Sequence, residues 1–320
     1  MNIIDLQASN IITSNSFSYS QELVSTTSNG LNTNSEMCQQ LITKYPEHSR
    51  LLNFVFERTL YLSLNDVISA LEHQISLFNE FRNKSMPIIV VIDTKKIGSE
   101  QYFYYRLQNV LPPHYIIFRN KRLKKITEPV YLLFLDDWSL SGTNMFATFD
   151  NILYESGSNY TSPNISLVSI TAVTTNIVKA NFPKLFPDLK THVFSEYLIR
   201  PFIYYYKKYN EENPENKIPT AEARAFNDIF NPEARGNSNL IHLEYKISNI
   251  HGSFTSIYES CSKIPPNKEF MTEAKTIFET NSAISSTEYN DVQPSGGKKT
   301  KRYKHKHKIQ TLKLKYSKIK

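Results

Sequence analysis

A chain of 320 residues with 8 glycines and 2 cysteines has room for one sizeable α/β domain with appendages, or for two small domains. Cys38 and Cys261 form no metal-type spacing, and so few cysteines in so long a chain exclude a disulfide-built scaffold and imply a reduced, intracellular setting. The formal net charge of +7 belongs to a tail: eleven of the 37 Lys and Arg residues lie between Lys298 and Lys320 without an acid, leaving 26 bases against 30 acids in residues 1–297, so the high pI does not describe a basic face on the folded body.

The start of the chain, Met1-Asn2-Ile3-Ile4-Asp5, has neither the basic nor the apolar region of a secretory signal. No apolar run approaches the roughly 18 residues of a membrane span. Residues 1–35 are rich in Ser, Asn and Thr and read as a polar, poorly ordered lead-in. Between Met37 and Arg82 the apolar spacing turns helical, through Leu51, Leu52, Val55 and Phe56 and then Val67, Leu71, Ile75 and Phe78, which predicts two or three helices. Strand-length apolar runs then alternate with helical stretches. Strands are expected at Ile88–Ile92, His114–Phe118, Val130–Leu135, Ile165–Val173 and a short His192–Phe194, with helices near Ser99–Val110, Thr143–Tyr154 and Asn176–Lys184. That alternation predicts a doubly wound, mainly parallel α/β sheet preceded by helices. Further on, Phe202–Tyr209 is strongly aromatic, Ala221–Ile229 reads as helical, and Leu240–Tyr245 reads as an edge strand.

The chemistry concentrates in Val130-Tyr131-Leu132-Leu133-Phe134-Leu135-Asp136-Asp137-Trp138-Ser139-Leu140-Ser141-Gly142-Thr143. An apolar run of this length suits a strand buried on both faces, and ligands of open α/β sheets bind beyond the carboxyl ends of the strands. Two adjacent carboxylates there can accept hydrogen bonds from vicinal hydroxyls or hold a divalent cation. The Ser-Gly-Thr that follows can turn its N–H groups and hydroxyls towards a phosphate as a helix begins. The bland alternative is a helix cap contributed by Asp137 or Ser139, but a cap needs neither a second carboxylate nor a Ser-Gly-Thr. No G-x-x-x-x-G-K-[ST] and no G-x-G-x-x-G occurs in the chain, so neither a P-loop nor a Rossmann dinucleotide site is supported.

An apolar strand, Asp-Asp, a short spacer and Ser/Thr-Gly-Thr resembles the PRPP-binding signature of type I phosphoribosyltransferases, in the divergent form found in conflict-system and large-DNA-virus proteins. The resemblance implies that Asp136 and Asp137 bind the ribose hydroxyls and, indirectly with PRPP, Mg²⁺. It makes Ser139, Ser141, Gly142, Thr143 and Asn144 the phosphate-binding stretch. Trp138 stands where a small aliphatic residue is usual, Leu140 where a hydroxyl residue is common, and Asn144 where the loop ends in Thr; Leu140 removes a possible phosphate ligand. The resemblance also implies a pyrophosphate-contacting loop after the first strand, carrying Lys95 and Lys96. It implies as well a mobile loop between the second and third strands, where this chain has Arg119, Lys121, Arg122, Lys124 and Lys125. Both basic groups have the plain alternative of solvated surface charge. Leu243–Tyr258 is similar to a segment that follows the core in the large-virus relatives, with no role assigned to Lys246 or His251.

The expected organisation is therefore a lead-in at 1–35, a phosphoribosyltransferase-like domain at 36–262, a helix and linker at 263–294, and a basic disordered tail at 295–320. The expected activity is binding of PRPP or a related ribose phosphate, with possible transfer of phosphoribosyl to a nitrogen nucleophile. The alternatives are an inactive nucleotide sensor of the same fold, or a viral structural or interaction protein. In the latter the tail at 298–320 binds nucleic acid or an anionic surface by counterion release. Nothing in the sequence names the acceptor base or the oligomeric state.

Overall fold

The computed structural model describes residues 16–22, 36–92, 98–118, 126, 128–155, 164–231, 238–243, 245, 254 and 257. Among them the strands are β1 (Ser16–Glu22), β2 (Leu60–Leu62), β3 (Ile88–Ile92), β4 (His114–Phe118), β5 (Val130–Ser139), β6 (Ile165–Thr175), β7 (Lys190–Ile199) and β8 (Ile241–Leu243). The helices are α1 (Glu36–Lys44), α2 (Ser49–Arg58), α3 (Leu64–Phe81), α4 (Ser99–Leu107), α5 (Thr143–Glu155), α6 (Asn176–Leu185), α7 (Phe202–Glu212) and α8 (Thr220–Phe230).

Six strands form one sheet in the order β1-β7-β6-β5-β3-β4, and every pairing in it is parallel. Helices cover both faces. Tyr131, Leu133 and Leu135 of β5 pack with Val67, Leu71, Ile75 and Phe78 of α3 and with Tyr102, Phe103 and Leu107 of α4. Leu132 and Phe134 face the other way, onto Met145, Phe146, Phe149 and Ile152 of α5 and onto Val178 and Phe182 of α6. This alternation is the period of two of a strand whose two faces are both buried. At the centre β6 is buried at every position, its hydroxyl residues included. Each of its large aliphatic side chains contributes about 1.5–3 kcal/mol by burial. A third cluster joins α1, α2, α7 and α8 through Phe54, Phe56, Phe202, Phe226 and Phe230. The start of α3 is fixed by a capping box in which Ser63 and Asp66 exchange hydrogen bonds, a device worth about 1 kcal/mol.

Strand order places a switch point between β3 and β5. From β3 the chain crosses to the edge strand β4, and from β5 it crosses the other way to β6 and β7. The crevice of such a sheet opens at the carboxyl ends of these two neighbours, because their connections leave in opposite directions.

Two expectations need correction. The lead-in at 1–35 contributes a strand: β1 pairs with β7 from Ser16↔His192 to Glu22↔Leu198. Its Ser-Phe-Ser-Tyr-Ser alternation has the period of two that half-buried strands show, and Phe17 packs on the α5–α6 side. The late strand at 240–245 is also not an edge of the main sheet. The position beside β7 is taken by β1, and β8 instead pairs in parallel with β2 in a separate two-stranded sheet, Leu60↔Ile241 to Leu62↔Leu243. Three strands run longer than expected, β5 to Ser139, β6 to Thr175 and β7 from Lys190 to Ile199. In-register pairing of β5 and β7 to β6 carries the ladder beyond the apolar runs. No described helix is long and apolar enough to cross a membrane.

Candidate functional site

Asp136 and Asp137 stand at the carboxyl end of β5, at the switch point. Asp136 is in register with Thr171 of β6, which is in register with Ser195 of β7. Asp136 is 6% exposed and Asp137 fully buried. Being consecutive in a strand, they are directed to opposite faces. The Oδ1 of Asp136 accepts from the Ser99 hydroxyl at 2.7 Å and from the Asp137 N–H at 2.9 Å. Ser99 opens α4, directly after the connection from β3, so the first βα unit grips the acidic pair. Asp137 is held from the α3–α4 side: Oδ1 accepts from the Trp138 N–H at 2.9 Å and Oδ2 from the Tyr245 hydroxyl at 3.1 Å. Burial and the Asp137 charge push the Tyr245 phenol well above its ordinary range. The phenol therefore stays protonated and donates.

Four residues on, the chain turns into α5. Gly142 has φ +76°, and a Cβ there would collide with the ring of Phe146, so the turn admits no side chain at this position. The Phe146 N–H closes the first helical bond onto the Gly142 carbonyl at 2.8 Å. Ser141 and Thr143 are exposed; their hydroxyls lie 3.0 Å apart, and the Thr143 N–H donates to the Ser141 oxygen at 3.3 Å. Two hydroxyls thus meet at the positive end of a 13-residue helix, an arrangement suited to an anion. The turn is fastened from the next strand. The Thr175 hydroxyl donates to the Leu140 carbonyl at 2.6 Å and also accepts from the Ile177 N–H at the start of α6.

The structure thus places Asp136, Ser141, Gly142 and Thr143 at the carboxyl end of β5 and the turn that follows it, with Asp137 buried beneath them. Ser139 lies apart from the open turn, buried within β5 with its carbonyl facing Thr174. Asn144 is already engaged: its amide donates to the Glu100 carboxylate of α4. Leu140 packs its side chain against the α3–α4 core and offers no polar group. Lys95 and Lys96, the basic group of Arg119, Lys121, Arg122, Lys124 and Lys125, Lys246, His251 and the tail at 298–320 lie outside the described residues.

Sequence reasoning placed Ser99 in a loop lining the crevice but gave it no role, and it missed Glu100, Thr175 and Tyr245. Ser99 had a signal, being a hydroxyl residue just after a strand and at a helix start. Tyr245 had none, because its partner is 108 residues away in the chain. The scattered histidines are largely structural: burial holds His192 and His242 each at a pKa of about 4. His73, exposed on α3, meets the buried Glu196 of β7 at 2.7 Å, and Gln74 donates to the same oxygen.

Fold and rim together define an open parallel α/β protein with a polar crevice at its switch point. No family model matches the chain, and no curated protein does. Among solved structures it is similar to a hypoxanthine-guanine-xanthine phosphoribosyltransferase, at 18% identity over 45% of this chain and 82% of the other, with a TM-score of 0.27. A purine phosphoribosyltransferase from Pyrococcus horikoshii shows 13% identity over 43% of this chain and 90% of its own, with a TM-score of 0.27. An adenine phosphoribosyltransferase from Thermoanaerobacter pseudethanolicus shows 11% identity over 40% and 80%, with a TM-score of 0.23. At such scores these likenesses carry no argument, and the function has to be read from the rim itself.

Proposed function

We propose that the rim binds PRPP or a related ribose phosphate. In this reading the acidic pair takes the sugar hydroxyls, and the Ser141–Gly142–Thr143 turn takes the 5′-phosphate. The observation that carries it is the placement of the carboxylates and the positive-φ turn at opposite ends of one strand-to-helix connection, on the switch-point side of the sheet. Neutral hydroxyls and N–H groups at the turn, with carboxylates beside it, match a ligand that is a sugar at one end and an anion at the other. Asp136 and Asp137 are hard oxygen donors of the kind Mg²⁺ takes one or two of, alongside substrate phosphates. A cation held there with PRPP would neutralise the pyrophosphate.

With PRPP bound, the reaction is displacement at the anomeric carbon. Its bond to the pyrophosphate oxygen breaks, the electron pair leaves with pyrophosphate, and a nitrogen nucleophile forms the new bond. Positioning by the acidic pair and the turn would carry most of the rate, since no side chain need react covalently. Lys95, Lys96 and the bases at 119–125 are proposed to face the leaving pyrophosphate. The setting is proposed to be intracellular, with a viral origin.

A second reading, a nucleotide sensor without turnover, draws on Leu140 and Asn144. The one is packed into the core and the other committed to Glu100, so two positions of the phosphate stretch are withdrawn. In a third reading the basic tail at 298–320 acts on nucleic acid or an anionic surface.

Calorimetric titration of PRPP with Mg²⁺ into the full chain and its Asp136→Asn variant separates these readings. Binding that disappears in the variant, followed by pyrophosphate release when bases are supplied, supports the enzyme; binding without release supports the sensor. A folded wild type that binds no sugar phosphate sinks both.

A further inference from the structure

The two carboxylates are not equivalent. Asp137 is completely buried, and both of its oxygens already accept hydrogen bonds from the protein, one from the Trp138 backbone N–H and one from the Tyr245 hydroxyl at 3.1 Å. Tyr245 is itself buried, and it follows β8 by two residues. The β2–β8 pairing, anchored where the Leu60 N–H donates to the Leu240 carbonyl at 2.9 Å, sets the direction in which the chain delivers that phenol. Its ring packs against Phe103, with centroids 6.3 Å apart. A phenolic O–H donating to a carboxylate is chemically what a sugar hydroxyl would do at the same oxygen.

We propose that Tyr245 stands in for one of the two vicinal sugar hydroxyls on Asp137, so that the site reads its sugar phosphate through Asp136 and accepts pentose phosphates lacking one of those hydroxyls. This rests on the ribose-phosphate reading above and narrows it to a ligand class. The physical reason is exchange. A ligand hydroxyl that displaced Tyr245 would gain a bond to Asp137 while stranding the phenol in a buried setting, so little net affinity would follow. Asp136 differs because it alone of the pair reaches the surface, at 6% exposure against none for Asp137. Phenol ionisation would not release Asp137 at neutral pH, since burial and the carboxylate both keep the proton on Tyr245.

The test is calorimetric titration of the full chain with ribose 5-phosphate, 2-deoxyribose 5-phosphate and 3-deoxyribose 5-phosphate. One of the two deoxy compounds is expected to bind within about threefold of ribose 5-phosphate, and the other much more weakly. In Tyr245→Phe, which keeps the ring and removes the donor, the tolerated deoxy compound is expected to fall behind ribose 5-phosphate by on the order of tenfold, the scale of one hydrogen bond to a charged group. Loss of more than tenfold for both deoxy compounds in the wild type means that both hydroxyls are read; this overturns the proposal and leaves the ribose-phosphate site standing. An unchanged preference in a folded Tyr245→Phe overturns the role of Tyr245. Absence of binding by all three compounds overturns the ribose-phosphate reading and this inference with it.

Discussion

The Ser99 hydroxyl donates to the Oδ1 of Asp136 at 2.7 Å, joining the first turn of α4 to the end of β5 across the switch point. That single bond couples the two βα connections whose divergence creates the crevice. It also fixes the orientation of the more exposed carboxylate before any ligand arrives. Ser99→Ala is expected to leave the fold intact and to weaken ribose-phosphate binding about tenfold, since a hydrogen bond to a charged group contributes about 1.5–3 kcal/mol. Calorimetry on the variant checks the affinity, and a melting curve checks the fold.

Gly142 makes a sharper prediction. Its φ of +76° and the Phe146 ring beneath it leave no room for a Cβ. Gly142→Ala is expected to cost about 1–3 kcal/mol of stability through the strained backbone and the displaced ring. Chemical denaturation measures it. A variant as stable as the wild type would show that the turn is not held as described.

Stability should fall in mild acid. His192 and His242 are buried, and their folded pKa values are near 4 against an ordinary 6.5. The unfolded chain therefore binds more protons between those values, and the native state is favoured fully only above about pH 6.5. As pH drops from 6.5 towards 4 each histidine is expected to withdraw on the order of a few kcal/mol. Denaturation midpoints at pH 7 and pH 5 should differ in the wild type. In His192→Leu the difference should shrink.

Glu196 is nearly enclosed in β7 and gathers His73 and Gln74 of α3 onto one oxygen. Glu196→Ala leaves the buried Gln74 amide without this acceptor and is expected to destabilise the protein by about 1–3 kcal/mol. His73→Ala, which removes a half-exposed partner, should cost less than about 1 kcal/mol. Equal losses in the two variants would mean that the helix-to-strand contact depends on the ion pair rather than on the buried amide.

Much of the sheet was legible in the chain because parallel strands buried on both faces are written as unbroken apolar runs. Ile88–Ile92 and His114–Phe118 form strands with the expected boundaries, and Asp136, Asp137 and Gly142 fall where the apolar run of β5 predicts a strand end and a turn. Local spacing also placed the helices, since a period near 3.6 is a property of neighbouring residues. It could not place β1, whose half-polar alternation gains its meaning from pairing with β7, nor send β8 to β2 instead of to the main sheet. Above all, the sequence makes the two carboxylates look alike. Only the tertiary structure distinguishes them, leaving Asp136 at the rim beside Ser99 and sealing Asp137 under a tyrosine 108 residues away. Carboxylate chemistry depends on burial and on which donors arrive from distant segments, and no spacing along the chain encodes either.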